Sequence, residues 1–237
     1  MAGPNSKNKR TAQKPVRVFT QIKNKELVER RWKQIIDKST KVFLKKGYHQ
    51  TSIRDIAKAT SFSMGNLYNY IRTKEDVLYL VHQNMIKNVY HSLFDIKEDE
   101  YEIKYGELTR IIRNAIEKTF DFQDEIILLY RESGSLSKEM LSSILSLETC
   151  YIEMFKRLLD EANKENLYQI RDTRFLANLI VYLISFLSLR RWSLRNYKKE
   201  ESIELLMYYI TRMLRPIEKI SNLEKNGQAN LVPSKLG

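Results

Sequence analysis

From about Lys25 the apolar positions of this chain recur at helical spacing. Trp32, Ile35, Ile36, Ser39, Val42 and Phe43 share one face, with Lys and Arg on the other. Lys45-Lys46-Gly47 supplies the basic last turn and the glycine that close such a helix. In Thr51-Ser52-Ile53-Arg54-Asp55, Ser52 and Asp55 stand at capping-box spacing, and Ile53, Ile56 and Ala57 make a small apolar face. The pattern breaks at Thr60-Ser61-Phe62, after which Ser63 is placed to cap a second short helix from Met64 to Tyr70. Thr73 and Asp76 repeat the capping-box spacing and open a long helix through about His91. Two short helices joined by a tight turn predict a helix-turn-helix unit. Farther along, the periodicity predicts helices at about 102–120, 123–132, 138–164, 172–195 and 199–215.

The spacing of turn formers agrees with an all-α chain. Pro4, Pro15, Pro216 and Pro233 sit near the two ends, and between Val16 and Arg215 the only glycines are Gly47, Gly65, Gly106 and Gly134. A sheet protein of this length needs Gly, Pro or Asn-Gly turns far more often. The run from Phe175 to Leu189 is apolar except for Asn178, Ser185 and Ser188, with Arg174 before it and Arg190-Arg191 after it. It falls short of the ~20 residues that span a bilayer. An all-round apolar helix is a buried one, so one face is expected against the core and the other against a partner subunit.

Charge changes the picture because of where it sits. The chain carries a formal +12; residues 1–74 hold 18 Lys/Arg against 4 Asp/Glu, and the remainder is slightly acidic. Such segregation fits a nucleic-acid-binding head joined to a body with another task. Residues 1–24 are basic, acid-free and contain two prolines, which predicts a flexible arm. That arm has no apolar core of a secretory signal. A single cysteine, Cys150, excludes an intramolecular disulfide or a Cys-based zinc site and fits a reducing cytoplasm. His49, His82 and His91 lack metal-ligand spacing, and no phosphate-binding glycine loop or nucleophile–base pair is present. No cofactor, metal or enzymatic activity is therefore expected.

The stretch Gly47-Tyr48 … Thr51-Ser52-Ile53-Arg54-Asp55-Ile56-Ala57 … Ser63-Met64-Gly65-Asn66-Leu67-Tyr68-Asn69-Tyr70 … Thr73-Lys74-Glu75-Asp76-Val77-Leu78 closely resembles the DNA-binding region of the TetR family. The resemblance runs from about Arg30 to Val81. Members often have Ala-Gly where this chain has Thr60-Ser61, and Phe where it has Ile71. It implies a flexible arm (1–24), a three-helix DNA-binding head (25–73), a helical ligand-binding and dimerisation bundle (74–220) and a loose tail (221–237). It also implies a cytoplasmic repressor, homodimeric on a palindromic duplex operator, with a small-molecule effector and no membrane.

Leu67 is expected in the core, as is Trp32, while Ser63, Met64, Gly65, Asn66, Tyr68, Asn69 and Tyr70 around it are the expected DNA contacts. Asn pairs with adenine and Tyr hydroxyls with phosphate; the resemblance adds Thr51 and Lys74 as backbone contacts. In the bundle, Ile112, Ile116, Tyr130, Tyr151, Phe155, Asn178 and Tyr182 are candidate effector contacts. Tyr130-Arg131-Glu132-Ser133 and Leu189-Arg190-Arg191-Trp192 loosely resemble the acyl-CoA-responsive, FadR-like branch, with Arg190, Arg191 and Arg195 placed for an anionic head. A hydrophobic drug or aromatic effector, or an architectural DNA-binding protein without ligand, stays open. Leu183, Leu187, Leu205, Leu206, Tyr209 and Met213 are the expected dimer contacts.

Overall fold

The computed structural model describes residues 16–94 and 106–214, without the side chains of 90–94. Residues 1–15 of the expected arm, the start of the helix expected from 102, and the tail from 221 lie outside the described residues. Within them the chain is helical and has no strand. The elements are α1 (Lys25–Lys46), α2 (Ile53–Thr60), α3 (Met64–Tyr68), α4 (Lys74–Phe94), α5 (Glu107–Phe120), α6 (Gln123–Glu132), a single 3-10 turn (Ser133–Ser135), α7 (Lys138–Lys164), α8 (Thr173–Leu189) and α9 (Lys199–Met213).

Two compact units divide the chain. The first comprises residues 1–86 with 127–149, the second 87–126 with 150–237. Residues 127–149, expected in the ligand-binding bundle, thus belong with the head. The reason is polar as well as apolar. The amide of Ser137 donates to Glu75 Oε1 at 2.6 Å, and Tyr79 and Ser143 share a buried hydroxyl–hydroxyl bond of 2.9 Å.

In the first unit α1 packs on α2 and α2 on α3 around Ile35, Ile36, Phe43, Ile56, Ala57, Leu67 and Ile71. Gly47 ends α1 at φ +86°, a conformation that favours glycine. His82 of α4 is fully buried and its ring nitrogens make no hydrogen bond among the described residues, so desolvation pushes its pKa down to about 4.

In the second unit α5 buries Leu108, Ile111, Ile112, Ala115 and Ile116 and packs against both α8 and α9. Asp172 caps α8 by accepting from the amide of Phe175 at 2.9 Å. The helix ends at Leu189, six residues before the expected 195. Past that point the apolar face gives way to Arg190-Arg191-Trp192, and Ser193 donates its hydroxyl to the Arg190 carbonyl, favouring turns over helix.

Candidate nucleic-acid interface

The expected caps hold the head together. Ser52 accepts from the amide of Asp55 at 3.2 Å, and the Ser52 amide donates to Asp55 Oδ2 at 2.8 Å. Lys46 pairs with the same carboxylate at 2.6 Å and, with Ser52, holds it far below the usual carboxylate range. Thr73 and Asp76 complete the second box at 3.1 and 3.0 Å. Ser63 Oγ accepts from the amide of Asn66 at 3.2 Å. Between α2 and α3, Ser61 takes the left-handed conformation (φ 59°, ψ 29°). The amide of Phe62 donates to the Ala57 carbonyl at 3.0 Å, a Schellman closure that stands without the usual glycine.

Helix α3 therefore begins at a cap and buries one side chain, Leu67. It stops at Tyr68, two residues before the expected Tyr70, because the amides of Asn69 and Tyr70 turn back to the carbonyls of Asn66 and Leu67. Tyr68 is exposed, as are Ser63 and Gly65; Met64, Asn66 and Asn69 are half-buried. A Cβ added at Gly65 would meet nothing within 4 Å among the described residues, so their packing does not require glycine there.

Three of the expected contacts have partners inside the chain. Tyr70 is buried, with its ring 6.2 Å from that of Phe62, and its carbonyl accepts from Trp32 Nε1 at 3.0 Å. Trp32, expected in the core, is half-buried and acts through this bond. Thr51 is buried too, its hydroxyl donating to the Gly47 carbonyl at 2.7 Å to close the α1–α2 turn. Lys74 is half-buried and held by the loop that follows α1. Its ammonium donates to the carbonyls of Tyr48, His49 and Thr51 at 2.9, 3.0 and 3.2 Å and sits 4.6 Å from the centre of the Tyr48 ring. All three ammonium hydrogens thus serve the fold.

The flexible-arm expectation also changes from residue 16 onward. Val18 is buried, Phe19 lies under the Arg72 guanidinium at 3.5 Å, and Thr20 and Gln21 both bond the Asn69 carbonyl. The apolar pair Val18-Phe19 amid basic residues was the available signal for this docking.

The effector candidates do not gather at one place. In the second unit Ile112, Ile116, Tyr151 and Phe155 are buried, with Tyr151 and Phe155 edge-to-face at 5.2 Å. Burial raises the Tyr151 phenol well above its ordinary pKa. Asn178 and Tyr182 lie instead on the exposed side of α8, where Asn178 donates to the Arg174 carbonyl. Tyr130 is an exposed residue of the first unit. Arg190 stacks over Trp192 at 5.3 Å, Arg191 pairs with Asp124 at 2.6 Å, and Arg195 is exposed. An open cleft of about 500 Å³ between α5 and α9 is lined by Arg110, Arg113, Glu204, Met207 and Tyr208, none of them a predicted contact. Arg113 holds Glu204 in a bidentate pair at 2.7 and 2.9 Å.

Among the expected dimer contacts, Leu187 and Leu206 are buried within the subunit and belong to its core. Leu183 is half-buried, whereas Leu205, Tyr209 and Met213 are exposed, together with Phe175, Tyr182 and Tyr208. The outer sides of α8 and α9 thus carry large apolar residues among charged and polar ones such as Arg174, Asn178, Glu204 and Arg212.

Residues 35–79 match the family model described as "Bacterial regulatory proteins, tetR family". The match falls on the head, from within α1 to within α4. Over the wider chain, the HTH-type transcriptional regulator HbdR of Aromatoleum sp. (strain CIB) is 25% identical across 203 residues, covering 80% of this chain and 85% of its own. The crystal structure of a tetR-family bacterial regulatory protein from Rhodococcus RHA1 superposes with a TM-score of 0.68 at 22% identity, covering 78% of this chain and 96% of that one. The transcriptional regulator FadR from Bacillus subtilis, solved in complex with stearoyl-CoA, gives 0.62 at 22% identity, covering 78% and 99%. The matched head is thus set in a chain that shares the fold of these solved structures along most of its length. Among the described residues no helix is long and apolar enough to cross a membrane, and no cluster of His, Cys, Asp and Glu is suited to a metal ion.

Proposed function

We propose that this chain is a cytoplasmic transcriptional repressor that binds duplex DNA through α3 and is released by an apolar effector, a long-chain acyl-CoA being the favoured class. The observation that carries the DNA reading is the outward side of α3. It presents Gly65, Asn66, Tyr68 and Asn69 on the most basic third of the chain, and its glycine has no internal reason to lack a side chain. A bare backbone there lets the helix approach a groove, Asn reads base edges and Tyr68 reaches phosphate. The large apolar residues exposed on α8 and α9 support a homodimer, which would present two heads to half-sites of a palindrome. The effector reading rests on the fold shared with an acyl-CoA-bound regulator and on the exposed Arg190 and Arg195. Effector release requires that the ligand prefer one conformation over the other, with a coupling of about 1–3 kcal/mol on the usual scale.

Selection of bound duplexes from random sequence tests this, with stearoyl-CoA, a free fatty acid and a neutral aromatic compound added in separate arms. A palindromic motif that is lost on adding stearoyl-CoA supports the whole reading. Enrichment lost only with the aromatic compound moves the effector to that class, and no enriched sequence at all overturns sequence-specific binding.

A further inference from the structure

A helix as short as α3 has no stability of its own, because helix nucleation is costly and only neighbours can hold so few residues. Its N-terminal end is fixed by Ser63 within the helix-turn-helix. Its C-terminal end is fixed by groups from elsewhere. The Trp32 indole holds the Tyr70 carbonyl, and the Asn69 carbonyl accepts twice, from Thr20 Oγ1 at 2.9 Å and from the Gln21 amide at 3.0 Å. Thr20 in turn accepts from the amide of Ile22 at 3.1 Å, which orients its hydroxyl hydrogen toward Asn69.

The same segment is anchored at its other end. Val18 is only 3% exposed, and the amide of Val16 donates to Ser143 Oγ at 3.3 Å. Ser143 is itself buried and bonded to Tyr79, whose hydroxyl also accepts from Gln83 Nε2 at 3.0 Å. Between the two anchors Phe19 lies beneath the Arg72 guanidinium, at the junction of α3 and α4. All of these groups lie within the first unit.

We propose that residues 16–22 form a strap that positions the recognition helix, with Thr20 and Ser143 as its two polar anchors and α7 as the support it pulls against. The inference rests on α3 being the DNA-reading element, and it assigns positioning roles to residues outside the helix-turn-helix. Ser143 touches no DNA in this account, being buried on α7. Its effect on binding travels through the strap.

The test uses the full chain with Thr20→Val, Ser143→Ala and Thr20→Ser, and two readouts. Hydrogen exchange of the free protein reports whether the amides of 66–71 open more easily. Titration of the selected duplex and a scrambled duplex reports affinity and discrimination. Thr20→Val and Ser143→Ala should each speed exchange at 66–71 and weaken selected-duplex binding about fivefold, the scale of one lost hydrogen bond. The scrambled duplex should be bound nearly as before, and Thr20→Ser should behave as wild type. Unchanged exchange at 66–71 in both variants overturns the strap, as does faster exchange with wild-type discrimination. Failure of the DNA-binding reading appears separately, as a wild-type chain with no affinity for any duplex, and leaves the exchange result to decide the strap alone.

Discussion

Helix α3 has five residues and one buried side chain, while α8 has seventeen and is apolar around most of its circumference. Both turn a side to solvent. On α3 that side is polar and bare: Ser63 at the cap, Gly65, Asn66 and Tyr68. On α8 it carries large apolar residues beside Arg174 and Asn178, with Phe175 70% and Tyr182 52% exposed, and α9 adds Tyr209 at 63%. A polar side with a missing side chain, on a head of net positive charge, suits a hydrated, anionic partner. A side with large exposed apolar residues suits another protein surface, since a monomer gains nothing by exposing them. The difference teaches that the two helices face different partners, and that neither exposed side is explained by packing within the chain.

The largest expected effect tests the α8 and α9 side. Tyr182→Glu with Tyr209→Glu should weaken self-association at least 100-fold, about 3 kcal/mol, by placing charge in the proposed interface. Sedimentation equilibrium checks this, and Tyr68→Glu should leave the oligomeric state untouched. A double variant that remains a dimer would remove α8 and α9 from the interface.

The two units should also part company in mild acid. His82 in the first unit is held neutral by burial, at about 4 against an ordinary value near 6.5. The unfolded chain therefore takes up a proton that the folded chain refuses. Stability falls as pH drops through about 6.5 and stops falling near 4, where folded His82 protonates as well. The total is about 3 kcal/mol. Hydrogen exchange at pH 7 and pH 5 should show the first unit opening preferentially, and His82→Phe should abolish the difference. Equal opening of both units would contradict it.

Smaller effects separate holding the head from reading DNA. Lys74→Met should cost about 1–2 kcal/mol of stability in urea unfolding, because three carbonyls at the α1–α2 turn lose their donor. Its duplex affinity should keep the wild-type salt slope, whereas a phosphate contact would lower that slope by about one unit. Ser61→Gly should raise stability by about 1 kcal/mol by relieving a left-handed serine, with little change in DNA affinity.

How much of this was legible in the chain differs between the same two regions. The caps at Ser52, Ser63 and Thr73, the stop at Gly47 and the single core residue Leu67 are local signals, and the structure has them where spacing put them. Helices α5 to α9 followed their apolar period, with α8 overrun because charged residues were counted as helical once the apolar run had ended. The side-chain partners were less legible. Lys74 meets carbonyls some twenty-five positions earlier in the chain, and Thr51 and Tyr70 are buried by contacts that no short window contains. Thr20 meets Asn69 across forty-nine positions and Val16 meets Ser143 across 127, so the sequence of residues 16–22 reads as part of a flexible arm. In the bundle, the apolar residues of α5 and α7 did fall in the core, but Asn178 and Tyr182 went to the opposite side of α8. The helical period says which residues share a face, and tertiary packing decides which face turns inward.

The most direct test of the central claim, that α3 presents a DNA-reading surface, is the affinity of Gly65→Leu for the selected duplex, measured beside its thermal unfolding. No described residue lies within 4 Å of a Cβ built there, and leucine is a better helix former than glycine by nearly 1 kcal/mol. The account predicts a melting temperature equal to or above wild type, together with at least tenfold weaker binding, because the added side chain holds the helix off the groove. A variant that is as stable as wild type and binds the selected duplex with unchanged affinity would contradict it.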